Sequence, residues 1–195
     1  AIRQCRITTV ISSRAFLQKM ENLKAPDGTV YLEDLIVGIT PMEKCRAFLK
    51  AAFAPVGMLQ RYRPVRPDDL ATIIFSSGST AEPKGVMLSH HNGVSNIESF
   101  RMGLRLEPQD KMCCVLPFFH SFGYTCCLWC PALSGFEAVY HANPIDGATV
   151  AEMVRERRLT ILLATPTFLL AYIRRGKRED FVTLRAILTG AEKLR

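Results

Sequence analysis

Residues 70–88 read LATIIFSSGSTAEPKGVML. The first six, Leu70 to Phe75, form an apolar and largely β-branched run of the kind that makes a buried strand. The run releases into Ser76-Ser77-Gly78-Ser79-Thr80, which sets four hydroxyls and a permissive glycine within five residues. Pro83-Lys84-Gly85 and a second β-like run, Val86–Leu88, follow. From His90 to Leu104 the pattern is helical. A strand, a hydroxyl-rich loop and a helix in that order are the start of an α/β layer structure.

The same alternation continues in the C-terminal direction. Strands are predicted at Lys111–Leu116, Phe136–Tyr140, Thr160–Ala164 and Leu184–Leu188. Between them lie helical patterns at Ser121–Leu133, limited by Pro131, at Thr149–Arg158 and at Pro166–Arg174. Strands alternating with helices predict a mostly parallel sheet flanked by helices. On the N-terminal side the pattern is weaker. Arg6–Ile11 is β-rich, Ser12-Ser13 offers a cap for a helix over 14–23, and Val30–Ile39 is β-prone but broken by Glu33 and Asp34. Thr40-Pro41 reads as an N-cap and first helical position for a helix to Phe53. Residues 54–69, rich in Pro and Arg, form the best linker in the chain.

Composition sets outer limits. The chain has 195 residues, of which 48% are hydrophobic and 22% charged, which excludes a disordered tail and fits a packed soluble protein. The net charge of +7 is uneven: residues 1–70 carry 11 basic and 7 acidic groups, 71–150 carry 4 and 6, and 151–195 carry 10 and 5. Arg155, Arg157, Arg158, Arg174, Arg175, Lys177 and Arg178 cluster near predicted helix ends, where cations complement terminal carbonyls. This favours solvated helix ends over nucleic-acid binding. The seven cysteines are odd in number, and five lie in apolar stretches. That pattern fits thiols used as small hydrophobes in a reducing, cytoplasmic setting rather than a disulfide framework. Apolar runs at 112–119 and 126–133 fall short of the ~18 residues of a membrane span. The chain opens without Met or a signal-peptide core, which implies processing or a segment cut from something longer.

The chemistry of the 76–84 segment is that of an anion site. Backbone amides and hydroxyls can wrap a phosphate, and Lys84 brings a compact, mobile positive charge. The predicted ligand is a polyphosphate such as that of ATP. The segment is not the common P-loop, because Lys84 is followed by Gly85 and a β-like run rather than by Ser/Thr and a helix.

FSSGSTAEPKGVMLSHHN, residues 75–92, closely resembles the phosphate-binding signature of the adenylate-forming, AMP-binding enzymes. LPFFHSFG at 116–123 and TGAEKL at 189–194 resemble two further motifs of that family in the same order. The resemblance implies that Ser76, Ser77, Gly78, Ser79, Thr80 and Lys84 surround the phosphates of ATP, with Thr80 at Mg²⁺ and Lys84 also catalytic. It implies that His120, on the carboxylate-substrate side, gates substrate access or contacts the acyl-adenylate. A lone histidine in an apolar run is otherwise most often a hydrogen-bonded core residue. It further implies that Gly190, Ala191 and Glu192 form the adenine-contacting turn.

Residues 120–135, with YLEDL and SHHN, look most like the acyl-ACP synthetase portion of bacterial 2-acylglycerophosphoethanolamine acyltransferase, or a long-chain fatty acid ligase. On that likeness the chain is part of the large N-terminal domain of an acid–thiol ligase, lacking the start of that domain and the C-terminal lid. The full-length enzyme would convert a fatty acid and ATP to acyl-AMP and pass the acyl group to acyl carrier protein or CoA. It would serve phospholipid acylation in the cytoplasm or at the inner face of the membrane, while the fragment alone would be inactive. Two other readings stay open. The family usually has glycine where this chain has Ala81, and a methyl group there restricts the loop, which suits a catalytically incompetent nucleotide-binding module. The basic 151–178 segment suits an adaptor for nucleic acid or an anionic membrane.

Overall fold

The computed structural model describes all residues except 1, 20–22, 56, 59–63, 77–82 and 194–195. The chain divides into two compact units, residues 1–66 and 67–195.

The first unit has two short parallel strands, β1 (Ile11–Ser12) and β2 (Val30–Tyr31), and three helices, α1 (Arg14–Lys19), α2 (Leu32–Gly38) and α3 (Pro41–Phe53). The Thr40-Pro41 signal acts as expected. Thr40 accepts from the Glu43 amide, and the Glu43 carboxylate accepts from the Thr40 amide, a reciprocal capping box. The β-prone reading of 30–39 is corrected: only Val30 and Tyr31 pair as a strand, and 32–38 is helical. The reason is tertiary. The Glu33 carboxylate accepts from the Ser13 hydroxyl at 2.7 Å and the Arg14 amide at 2.9 Å, and Asp34 pairs with Arg14. These bonds hold the two acidic residues in one helical turn facing the start of α1. They also keep the Glu33 carboxyl low, at about 2. None of the described residues of this unit is fully buried.

The second unit holds the core. A hairpin of β3 (Leu70–Ser76) and β4 (Lys84–Ser89) leads into α4 (His90–Leu104). Ser89 caps α4 by accepting from the Asn92 amide, and Asn92 accepts in return from the Ser89 amide. Here the sequence reading needs two corrections. β3 pairs antiparallel with β4 rather than joining the parallel sheet, and its residues are half-exposed or exposed rather than buried.

The remaining strands, β5 (Lys111–Cys114), β6 (Glu137–Tyr140), β7 (Ile161–Ala164) and β8 (Ala186–Thr189), form one all-parallel sheet in the order β6-β5-β7-β8. Side chains alternate between its faces. Met112, Cys114, Ile161 and Leu163 point to one face, against Ile97 of α4 and the Cys126, Cys127 and Cys130 thiols. Cys113, Leu162 and Ala164 point to the other, against Val150, Val154 and Tyr172 of α6 (Gly147–Arg157) and α7 (Pro166–Arg175). All four residues of β7 are buried, as a strand covered on both faces requires. The five core cysteines are thus packing residues.

The amino edge of this sheet is tied by a buried carboxylate and its arginine. Asp110, 3% exposed, accepts from Thr160 Oγ1 at 2.7 Å, Arg185 Nε at 2.8 Å and the Glu107 amide at 2.8 Å. Arg185 also donates to the carbonyls of Leu104 and Arg105 at the end of α4.

The helix predicted at 121–133 contains a wide turn. After Ser121 and Phe122 the chain forms a π-helix over Gly123–Trp129, which runs on into α5 (Cys130–Ser134). The cause is legible. Pro131 has no N–H for the Cys127 carbonyl, and the Cys130 amide bonds back five residues to Thr125. The orphaned Cys127 carbonyl accepts instead from the Tyr140 hydroxyl at 2.9 Å.

Candidate functional site

The order of strands points to a candidate site. From β5 the chain moves to β6 on one side, and from β7 it moves to β8 on the other. The β5–β7 boundary is therefore the switch point of the sheet, and ligands of open parallel sheets bind in the crevice outside the carboxyl ends of the strands there. The segments leaving those ends are Val115–His120 after β5, Thr165–Thr167 after β7 and Gly190–Glu192 after β8.

The first segment is held by close backbone approach. His120 N–H donates to the Pro117 carbonyl at 3.1 Å, and the Tyr124 amide donates to the His120 carbonyl at 2.8 Å. A Cβ on Gly123 would lie 2.1 Å from the Pro117 oxygen, so only glycine lets the chain fold back here. Phe118 packs edge-on against Tyr140, with ring centroids 5.8 Å apart. His120 is exposed, so the core-histidine alternative does not hold.

The second and third segments are joined. Gly190 lies under the Phe122 ring, where a Cβ would come within 3.1 Å of the ring, and its amide donates to the Ala164 carbonyl at 3.4 Å. Ala191 adopts a left-handed φ of 67°. The Glu192 carboxylate accepts from the Thr167 hydroxyl at 2.6 Å and the Thr167 amide at 3.3 Å. These bonds, the hydroxyl first, hold its carboxyl below the usual range. Thr165, buried, caps the same helix by accepting from the Phe168 amide.

The phosphate-loop residues sit on the hairpin. Ser76 and Lys84 are direct register partners in the antiparallel ladder and form its last pair, so they face each other across the mouth of the loop. Both are exposed. Ser77, Gly78, Ser79 and Thr80, together with Ala81, lie outside the described residues. The structure therefore brings Ser76 to Lys84, and His120 to the edge that carries Gly190, Ala191 and Glu192. Among the described residues no hydrogen bond joins the two groups. Nor do three or more His, Cys, Asp or Glu side chains gather there as a metal site.

Sequence reasoning missed three features. Thr167, Phe122 and Tyr140 order the carboxyl edge through contacts 13 to 68 residues distant in the chain, and only Phe122 sits in a motif. An apolar cavity of about 180 Å³ opens between the base of the hairpin, α4 and the π-helix. It is lined by Leu88, Val94, Ile97, Tyr124, Trp129 and Leu133 among others. The basic clusters fall as expected at the last turns of α6 and α7, at the amino edge and away from these segments. Arg155 is bound to Asp180 at 2.9 Å.

Residues 1–195 match the sequence model of the family described as AMP-binding enzyme. The chain belongs to the AMP-binding enzyme family. It is 33% identical over 136 residues to the putative acyl-CoA synthetase YngI of Bacillus subtilis, covering 68% of this chain and 24% of that protein. It is 25% identical over 188 residues to 4-coumarate–CoA ligase 1 of Narcissus pseudonarcissus, covering 93% and 34%. Its fold matches a fatty acyl-adenylate ligase from L. pneumophila solved with acyl adenylate and pyrophosphate, with a TM-score of 0.75 at 19% identity over 100% of this chain and 33% of that one. ATP-bound MatB from Rhodopseudomonas palustris gives 0.74 at 22%, over 99% and 37%. The α/β architecture is that of the N-terminal domain of adenylate-forming enzymes. The chain spans a quarter to a third of the length of these relatives. Among the described residues no helix is long and apolar enough to cross a membrane.

Proposed function

We propose that the chain is the nucleotide- and acid-binding part of an acid–thiol ligase that activates a fatty acid as acyl-AMP. The observation that carries this reading is the pairing of Ser76 with Lys84 at the mouth of a hydroxyl-rich hairpin loop, in a chain of the AMP-binding family. Hydroxyls, backbone amides and one ammonium suit a polyphosphate, and Lys84 offsets charge on the pyrophosphate as it leaves. Gly190 and Ala191 offer backbone to the adenine. His120, exposed at the carboxyl edge of the sheet, meets the carboxylate.

Fit to the implied groups is uneven. ATP suits the donors of the hairpin mouth and the 190–191 turn. Mg²⁺, when bound, would neutralise phosphate charge; Thr80, the residue proposed to hold it, lies outside the described residues.

The apolar cavity between the base of the hairpin, α4 and the π-helix supports an aliphatic acid over a polar one, because its lining offers methyl groups and rings. The acceptor is a thiol, either CoA or the phosphopantetheine of acyl carrier protein. The test is ATP–pyrophosphate exchange by the full-length protein with a series of carboxylic acids. Exchange driven by fatty acids is expected. Exchange driven only by amino acids or aromatic acids would overturn the substrate assignment, and no exchange with any acid would support the incompetent module instead.

A further inference from the structure

We infer that Glu192 is a positioning residue, which through Thr167 holds the Gly190–Ala191 turn in the shape that receives the adenine, and that its carboxylate does not itself contact the nucleotide. The inference rests on the reading of that turn as the adenine site.

The turn needs holding. Ala191 sits at φ 67°, a region that costs a residue with a Cβ about 1 kcal/mol or more. It lies between two anchors. On one side Gly190 is packed under Phe122 and bonded to Ala164. On the other, Glu192 reaches back to the first turn of α7, where one carboxylate oxygen accepts from both the hydroxyl and the amide of Thr167. Removing the second anchor leaves the strained residue fixed at one end only.

The same contact explains why Glu192 is a poor nucleotide ligand. Its bonded oxygen takes charge-assisted bonds directed at the helix, and a carboxylate set at a helix N-terminus is favoured there by the terminal N–H groups. The amide of Phe168 is capped by the Thr165 hydroxyl oxygen, whose hydroxyl group also interacts with the Glu192 carboxylate. Loss of Glu192 therefore leaves α7 capped and the core beneath it untouched, since Pro166 and Tyr172 remain buried.

A double-mutant cycle on the full-length protein tests the inference, read by calorimetric affinity for ATP and by KM for ATP against KM for the acid. Glu192→Ala and Thr167→Val are each expected to weaken ATP binding about fivefold, which is ~1 kcal/mol, and to leave the KM for the acid and the thermal midpoint unchanged. The double variant is expected to be no weaker than Glu192→Ala alone, because the Thr167 hydroxyl acts on the turn only through that carboxylate. Thr167→Ser, which keeps the hydroxyl, should restore affinity and also serves if Glu192→Ala does not fold. Wild-type affinity in Thr167→Val, or losses that multiply to about twenty-five-fold, would mean that Glu192 acts on the nucleotide directly and overturn the inference alone. If the wild-type protein binds no adenine nucleotide, the adenine reading of the turn fails and the inference falls with it.

Discussion

Breaking the Asp110–Arg185 pair should destabilise the second unit without touching the site. Asp110 is 3% exposed and is the common acceptor for Arg185, Thr160 and the Glu107 amide. Asp110→Ala leaves the Glu107 amide without its partner and frees one side of Arg185. Breaking a buried pair costs roughly 3–5 kcal/mol. The lower end applies here, because the Arg185 side chain is 39% exposed and keeps its bonds to the Leu104 and Arg105 carbonyls. With a urea m-value of about 2 kcal/mol per molar, a loss of ~3 kcal/mol moves the midpoint down by roughly 1.5 M.

The pH dependence gives a second readout. The Asp110 carboxyl is held at about 2, by Arg185 first and then by the Glu107 amide and Thr160. The unfolded value is ~3.9. A depressed carboxyl contributes stability that is present above the unfolded value and lost as pH falls through the folded one. Roughly 2–3 kcal/mol of wild-type stability should therefore disappear between about pH 5 and pH 2, and Asp110→Ala should lack that slope. The single tryptophan, Trp129, lies in the same unit, so its fluorescence follows the relevant transition. A midpoint shift below about 0.25 M, or an unchanged acid slope in the variant, would refute the clamp.

Three further outcomes follow from the packing. Gly123→Ala should abolish soluble folding or lower the midpoint severely, because its Cβ would meet Pro117 and Leu116 backbone at 2.1–2.8 Å. Gly103→Ala, an exposed helical site with nothing within 4 Å, should gain up to ~1 kcal/mol in the same urea titration. In thiol labelling at pH 8, Cys45 is expected to react first and partly buried Cys5 more slowly. The other five should react only after unfolding, with burial pushing Cys113 and Cys126 up to about 12. Rapid labelling of three or more thiols in the native state would contradict the core assignment.

The legible parts of the fold were those written in local chemistry. Thr40-Pro41, Ser89 with Asn92, and Thr165-Pro166 each carry their helix start in adjacent residues, and each helix begins within a residue of expectation. β5 to β8 were readable because apolar runs of strand length alternate with helical periods. What escaped depended on partners far along the chain. The 32–38 helix is stabilised by Ser13 and Arg14, which no window around Glu33 contains. The partner of β3 is the strand that follows its own loop, and an apolar run does not state whether its neighbour is parallel or antiparallel. In the site, the motifs marked Ser76, Lys84, His120 and Gly190–Glu192. They did not indicate that the Glu192 carboxylate is turned to Thr167, nor that Pro131 frees the carbonyl that fixes Tyr140.

The central claim is that the hairpin mouth holds the polyphosphate of ATP. The most direct measurement is fatty-acid-dependent ATP–pyrophosphate exchange by the full-length protein with Lys84→Ala beside the wild type. A lysine directed at charge developing on the leaving group is worth about 3 kcal/mol, so the rate should fall by about two orders of magnitude. Exchange in Lys84→Ala within about twofold of wild type would contradict the account.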